Sequence, residues 1–383
     1  MKRKISVTTG SRSEYGILRP LIKKISKNHK LELYLIVAGM HLSGMYGKTI
    51  EEIKHDGFKI HSKIKMIPKK DTNYYMTLSL GEGIKNFAKI FNKIKPDINV
   101  ILGDRDEMLA SVIAAYHMNI PNAHIHGGDK TQGGIDEYNR HAITKMSNIH
   151  FAATQKSKQR IIKMGENPKF IFLTGSPSID EIKEHRITSK ENLEKRYKLT
   201  ITGKEIILLQ HSVTTQSNQS GKEILNTMKA ISSLNLNTIA IAPNSDPGGR
   251  EIFNHLKKFK KRFPYIYLYR TLPRSDFLGL LKYCGVLVGN SSSGMIEASY
   301  FGIPVVNIGI RQKDRERGTN VIDVSSDDPS SIRNAIRKAL LKGRIPHMNN
   351  KNIFGDGNAS QKIVKYLEKI SLNKELIKKQ ISY

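Results

Sequence analysis

The chain holds a single cysteine, Cys284, among 383 residues. No intrachain disulfide can form and no cysteine-based zinc site can be built, which suits a reducing compartment and predicts a cytoplasmic protein. No apolar run approaches the roughly 18 residues that a membrane helix needs, so no membrane partner is expected. The opening MKRKISVTTG is basic, but its apolar stretch is too short for a secretory signal and reads as a first strand. Acidic residues are scarce: 34 Asp and Glu stand against 63 Lys and Arg, a formal charge of +29. Such an excess raises nucleic acid as a partner. The lysines are spread along the whole chain, however, with no long basic tail and no aromatic array beside them, so no nucleic-acid partner is expected. A basic field also attracts an anionic small substrate.

Several familiar motifs are missing. No GxGxxG follows the first strand and there is no HExxH. Gly47, Lys48 and Thr49 resemble the end of a phosphate-binding loop, but Leu42 stands where its first glycine is required. His124 and His126 are two apart, which would put them on one face of a strand. No third ligand at a familiar spacing accompanies them, so a metal site is not expected.

What is present is a regular alternation. Strand patterns fall at residues 4–9, 32–38, 97–102 and 122–125, with helical patterns at 15–27, 76–93 and 106–116. A second series has strands at 205–210, 237–242, 265–269, 286–288 and 304–308, and helices at 221–232, 250–260, 274–282, 295–300 and 329–341. Alternation of this kind predicts α/β architecture with parallel, doubly wound sheets, and the length suffices for two domains. The most polar connection is residues 178–203. The expected division is 1–177 and 178–356, followed by a C-terminal helix, 357–383, that packs back on the first domain. Residues 373–380 are polar enough to fray.

Polar loops follow the strands. The fullest is AHIHGGDKTQGGIDEYNRHAITKM, residues 123–146, which brings His126, Asp129, Asp136 and Arg140 to a strand end. A helix starting near Ile135 would set Asp136 and Arg140 one turn apart on one face. That pattern fits a ligand site at the carboxyl end of a strand, and equally an acidic helix cap with an i,i+4 ion pair. Other loops carry Arg12, His41, Asp104 and Arg105 in the first half, and His211 and Asn244 in the second. In GNSSSG, residues 289–294, Asn290, Ser291, Ser292, Ser293 and Gly294 run into a segment holding Glu297. Serines and glycines before a helix suit a pyrophosphate, and a carboxylate further on suits a ribose diol; the simpler reading is a serine N-cap. Arg311, Arg315 and Arg317 follow as candidates for a phosphate clamp.

Taken in order, GSRSEYG, GDRDE, HIHGGD, IDEYNRHAITKMS, QHSVTT, APNSDPGG, GNSSSGMIEAS and GIRQKDRERG resemble the hydrolysing UDP-N-acetylglucosamine 2-epimerase family, in the branch feeding sialic acid and related nonulosonates. The resemblance covers about residues 4–360. It implies the glycosyltransferase-B fold, two Rossmann-like doubly wound domains facing across a cleft, with the nucleotide mainly on the second. It implies elimination of the nucleotide diphosphate across C1–C2 of the sugar to a 2-acetamidoglucal, then hydration with inverted C2, giving N-acetylmannosamine and UDP without metal or nicotinamide. By the same resemblance, Asp104 and Asp136 match family carboxylates, Arg140 the arginine one turn after the second, and His211 an active-site histidine. Arg12 matches the arginine near the phosphates, while Ser291, Ser292 and Glu297 match nucleotide-binding positions. One departure is His126, which stands where other branches carry a catalytic glutamate; Asp129 is the nearest carboxylate that could substitute. A homodimer or higher homo-oligomer is expected. The same chemistry on a UDP- or GDP-linked 2,4-diacetamido sugar is a close alternative. A non-hydrolysing epimerase, a glycosyltransferase of the same fold and a nucleotide-sugar binder remain further ones.

Overall fold

Short aliphatic runs, buried on both faces, form the strands of two sheets in the computed structural model, which describes residues 2–70, 72–131, 134–184, 187–345 and 352–382. The first sheet contains β1 (Arg3–Thr9), β2 (Leu31–Ala38), β3 (Ile60–Ile64), β4 (Ile98–Leu102), β5 (Asn122–Ile125), β6 (Ile149–Ala152) and β7 (Ile171–Leu173), in the order 3-2-1-4-5-6-7. The second contains β8 (Ile206–Leu209), β9 (Thr238–Ile241), β10 (Ile266–Tyr269), β11 (Val286–Gly289), β12 (Val305–Ile308) and β13 (Val321–Val324), in the order 10-9-8-11-12-13. Every strand pairing is parallel. The α/β class with two doubly wound sheets is therefore as expected.

Four strands go beyond the sequence reading: β3, β6, β7 and β13. All four are three to five residues long, and β3 and β13 are edge strands carrying Lys63 and Asp323. Such pieces have too few alternations to register as a pattern.

The helix Arg12–Ser26 shows how the layers hold. Ser11 and Glu14 form a reciprocal capping box at its start. Leu18, Leu21, Ile22 and Ile25 are wholly buried against β1 and β2 and against Ile363 and Leu367 of the helix Ala359–Lys369. Each such side chain contributes about 1.5–3 kcal/mol of transfer free energy. The C-terminal helix thus belongs to the core of the first sheet.

The polar connection 178–203 holds two helices among its described residues, Pro177–Glu184 and Lys190–Tyr197. Asp180 in the first accepts the backbone N–H of Ala359 at 2.9 Å and of Ser360 at 2.5 Å, capping the C-terminal helix. Here the chain crosses between sheets twice, with Ser176 N–H donating to the Phe354 carbonyl at 2.7 Å. Gly175 and Gly355 face each other at this crossing, both at positive φ, where a Cβ on Gly175 would lie 2.9 Å from the Phe354 carbonyl oxygen.

The last described residues, polar as they are, make specific contacts with the first domain. Asn373 caps the turn Lys374–Ile377, and Leu376 is buried in the first core. Lys379 pairs with Glu166 at 2.6 Å and donates to the carbonyls of Lys145 and Ser147, at the C-terminal end of the helix Ile135–Lys145. A single lysine serves there as a helix C-cap, which composition alone does not reveal.

Candidate active site

Each strand order reverses once, between β1 and β4 in the first sheet and between β8 and β11 in the second. Loops leaving the carboxyl ends of strands at such a point diverge and open a crevice. The two crevices face each other and form one cavity of about 220 Å³. Its wall includes Ser11 and Arg12 after β1, Asp104 and Arg105 after β4, His211 after β8, and Ser291, Ser292 and Ser293 after β11.

Asp104 is held by Arg140, which is itself wholly buried. Arg140 also pairs with Glu137 at 2.7 Å and donates to the Asp129 carbonyl at 3.3 Å and the Thr131 hydroxyl at 3.2 Å. Burial works to raise the Asp104 pKa, but Arg140, Arg315 and Arg311 outweigh it, so the carboxyl stays ionised.

The i,i+4 ion pair between Asp136 and Arg140 is not formed. Asp136 pairs instead with Arg311 of the second domain at 2.8 Å, while Arg140 turns to Asp104 and Glu137. Helical spacing allowed the local pair, but the buried guanidinium is better satisfied by two carboxylates. Burial raises the Asp136 pKa to about 6; Arg311 opposes the rise, and Asp104 and Asp246 add to it. Two carboxylates in one cavity thus have protonation equilibria pushed apart.

His126 lies just past the end of β5 at a φ of +65°, uncommon for a residue with a side chain. Its ring meets Asp129 through Nδ1 at 3.0 Å and Ser176 through Nε2 at 2.8 Å, and it lines the cavity. His124 takes other partners, the Gly103 carbonyl at 2.8 Å and Thr144 at 3.2 Å, so the two rings do not converge on a metal. Asp129 lies behind the wall. Its carboxylate accepts from Ser157 at 2.8 Å and Arg315 at 3.0 Å besides His126. Burial tends to raise its pKa, but His126 and Arg315 drive it far below the carboxylate range. So engaged, Asp129 fixes His126 and Arg315 and is a poor substitute for a proton-transferring glutamate.

In the second domain His211 and Asn290 are tied reciprocally: the His211 N–H donates to Asn290 Oδ1 at 2.7 Å, and Asn290 Nδ2 donates to the His211 carbonyl at 2.9 Å. His211 Nδ1 accepts from the Asn244 N–H at 3.1 Å, which puts the ring proton on Nε2. Burial, then repulsion from Arg311, lowers the His211 pKa to about 3. The imidazole is a neutral hydrogen-bond donor at physiological pH.

The serine loop depends on Gly289, whose φ is +132° and whose Cβ would lie 2.1 Å from the Leu209 carbonyl oxygen. After it, Ser291 caps a 3-10 turn, Ser292–Gly294, and the helix Glu297–Phe301 spans only five residues. The loop therefore offers hydroxyls and amides rather than a long helix dipole. Glu297 is 2% exposed and receives Arg274 and the Ser178 hydroxyl, the latter at 3.0 Å.

Of the other sequence candidates, Arg12, Arg105, Asn244 and Arg311 line the cavity, whereas His41, Asn290 and Gly294 stand behind it. His41 is wholly buried between Thr9 at 3.0 Å and Thr49 at 2.8 Å, a structural position that burial keeps neutral by lowering its pKa to about 3. Arg317 leaves the clamp and pairs with Asp323 at 2.5 Å. The sequence reading overlooked Arg274, which lines the cavity from the helix Arg274–Tyr283. A lone arginine after a proline carries no motif. Arg105 and Arg311 also link the domains, Arg105 reaching Ser245 at 3.2 Å and Asp246 at 3.5 Å. Among the described residues no group of three or more His, Cys, Asp or Glu is placed to hold a metal ion, and no helix is long and apolar enough to cross a membrane.

Comparison with known proteins places this geometry in context. The family model described as UDP-N-acetylglucosamine 2-epimerase matches residues 23–368. A Legionella pneumophila protein named UDP-N,N'-diacetylbacillosamine 2-epimerase (hydrolyzing) is 37% identical over 383 residues, covering 100% of both chains. A Campylobacter jejuni protein named GDP/UDP-N,N'-diacetylbacillosamine 2-epimerase (hydrolyzing) is 35% identical over 329 residues, 85% of each chain. Among solved structures, the Neisseria meningitidis UDP-GlcNAc 2-epimerase bound to UDP-GlcNAc superposes with a TM-score of 0.78 at 20% identity, covering 96% of this chain and 100% of that one. That likeness establishes the two-domain glycosyltransferase-B fold. With the full-length relative and the family match, it follows that the chain belongs to the UDP-N-acetylglucosamine 2-epimerase family, among its hydrolysing members, and is an enzyme acting on a nucleotide sugar.

Proposed function

We propose that this enzyme hydrolyses a UDP-linked 2,4-diacetamido sugar with inversion at C2, releasing UDP and the free sugar. The observation that carries the choice of substrate is the Legionella relative, similar from end to end and named for a diacetamido sugar nucleotide. UDP-N-acetylglucosamine, the first expectation from the motifs, becomes the second reading.

The chemistry asks for a group to take the C2 proton while the C1–O bond breaks and its electron pair leaves with the diphosphate. Asp136, with a pKa of about 6, is mostly ionised at neutral pH yet basic enough for that transfer. Arg12, Arg311 and the serine hydroxyls are the groups for the departing diphosphate. His211, neutral with its proton on Nε2, donates to the sugar or the leaving oxygen. Inversion requires that the returning proton reach the opposite face of C2, so a second group must serve the hydration. Asp104 and His126 are the lining groups left for it. The cross-domain contacts of Arg105 and Arg311 support a closed cleft that keeps bulk water from the glycal.

Turnover of the two sugar nucleotides, measured side by side, tests the substrate. The diacetamido compound is expected to have a kcat/KM at least about tenfold higher, the scale of one well-placed polar contact. Equal or better turnover of UDP-N-acetylglucosamine would restore the second reading.

A further inference from the structure

The Glu297 carboxylate is held unevenly, by Arg274 and Ser178 on one oxygen, with the Ser293 hydroxyl of the serine loop as a further neighbour that helps lower its pKa. Arg274 Nη2 and the Ser178 hydroxyl both reach Oε1, while Oε2 is buried with no hydrogen-bond partner. An unsatisfied buried carboxylate oxygen is costly, and this residue lines the cavity. A ribose hydroxyl in the cavity is a donor of the kind this oxygen accepts, beside Ser293 or in its place.

We propose that Arg274 is a positioning residue, which locks the Glu297 carboxylate so that its free oxygen accepts a ribose hydroxyl of the nucleotide. This rests on the reading of the serine loop and Glu297 as the nucleotide site. Arg274 is 3% exposed, with Nε 2.8 Å from Glu181. One planar guanidinium thus spans Glu181, from the crossing helix Pro177–Glu184, and Glu297, from the second domain. A lysine has no such fork and cannot fix both carboxylates in one plane.

The first domain is shaped around this side chain. Gly16, the last residue of the GSRSEYG motif, lies against it: a Cβ there would come within 3.1 Å of Arg274 Cδ and 3.2 Å of Nε. Gly16 sits inside a helix, where glycine costs about 1 kcal/mol relative to alanine, and its φ is not positive. A methyl at that point is tight against Arg274 and requires its side chain to shift by a few tenths of an ångström. The same clamp joins three segments at the cleft, so the ribose site is complete only when they are assembled.

The test compares UDP with 2′-deoxy-UDP by calorimetry on the wild type and on Arg274→Lys, Gly16→Ala and Glu297→Gln, with circular dichroism to establish folding. The wild type is expected to bind UDP about tenfold or more tightly than 2′-deoxy-UDP, the usual scale of a hydrogen bond to a charged group. In Arg274→Lys and Gly16→Ala that ratio is expected to fall below about threefold, as in Glu297→Gln, with KM rising more than kcat falls. A merely structural role would weaken both nucleotides together and leave the ratio unchanged. A wild-type ratio in folded Arg274→Lys, or in Gly16→Ala should the first not fold, overturns the positioning role. A wild-type enzyme that does not distinguish the two nucleotides overturns the ribose reading of Glu297 itself.

Discussion

Arg311 reaches across the cleft to Asp136, its Nη2 2.8 Å from the carboxylate, while its Nη1 donates to the Asn290 carbonyl at 3.3 Å. One guanidinium therefore connects the carboxylate assigned to proton transfer with the loop assigned to the diphosphate. On the proposed assignment, a diphosphate in the serine loop would compete for that guanidinium and draw it from Asp136. A carboxylate relieved of a cation becomes more basic.

Asp136→Asn is expected to fold normally, because the amide is nearly isosteric and its oxygen still accepts from Arg311. Turnover should fall by about two orders of magnitude or more, the scale for losing a positioned acid or base. UDP affinity should hold or rise, because the amide holds Arg311 less tightly than the carboxylate. Steady-state kinetics and calorimetry on the purified variant check both statements, and near-wild-type turnover would remove Asp136 from the chemistry.

The pH profile follows from the same residue. The proton-accepting form is the ionised one, and its fraction falls as pH drops through about 6. We expect kcat/KM to decline below that pH with an acid limb near it, and the limb to vanish in the residual activity of Asp136→Asn. An unchanged acid limb in the variant would assign it to another group.

Gly289→Ala should be severe. The backbone at φ +132° excludes most side chains, and the new Cβ would meet the Leu209 carbonyl oxygen at 2.1 Å, where β8 and β11 end side by side. A cost of about 1–3 kcal/mol in strain is expected, together with loss of UDP binding through the displaced serines. Urea unfolding and UDP titration measure the two effects separately.

Lys379→Met tests the docked tail. It removes the donor to the Lys145 and Ser147 carbonyls and one partner of Glu166. Stability should fall by about 1–3 kcal/mol. Because the helix Ile135–Lys145 also carries Asp136, kcat should drop several-fold while UDP affinity holds. Unchanged urea midpoint and kcat would show the tail to be a passive appendage.

The sequence made the alternation of strands and helices legible, and with it the polar loops at the strand ends. Those loops are contiguous, so Asp104, His211 and the serines 291–293 could be placed on the cavity before any fold was known. The partners of each charge were not legible. Helical spacing pointed Asp136 to Arg140, yet it meets an arginine 175 residues away in the chain. Asp129 looked like a spare carboxylate, and its three partners come from positions 126, 157 and 315. Arg274 stayed invisible because its partners, Glu181 and Glu297, lie 93 and 23 residues away in the chain. Burial had the same effect on His41, a polar residue at a strand end whose ring turns inward to Thr9 and Thr49.

The most direct measurement of the central claim is product analysis of the wild-type enzyme in heavy water with the UDP-linked diacetamido sugar. The account predicts UDP and a free sugar of inverted C2 configuration carrying one deuteron at C2, since the proton removed from one face is replaced from solvent on the other. A free sugar with the original C2 hydrogen or configuration, or an epimer still joined to UDP, would contradict it.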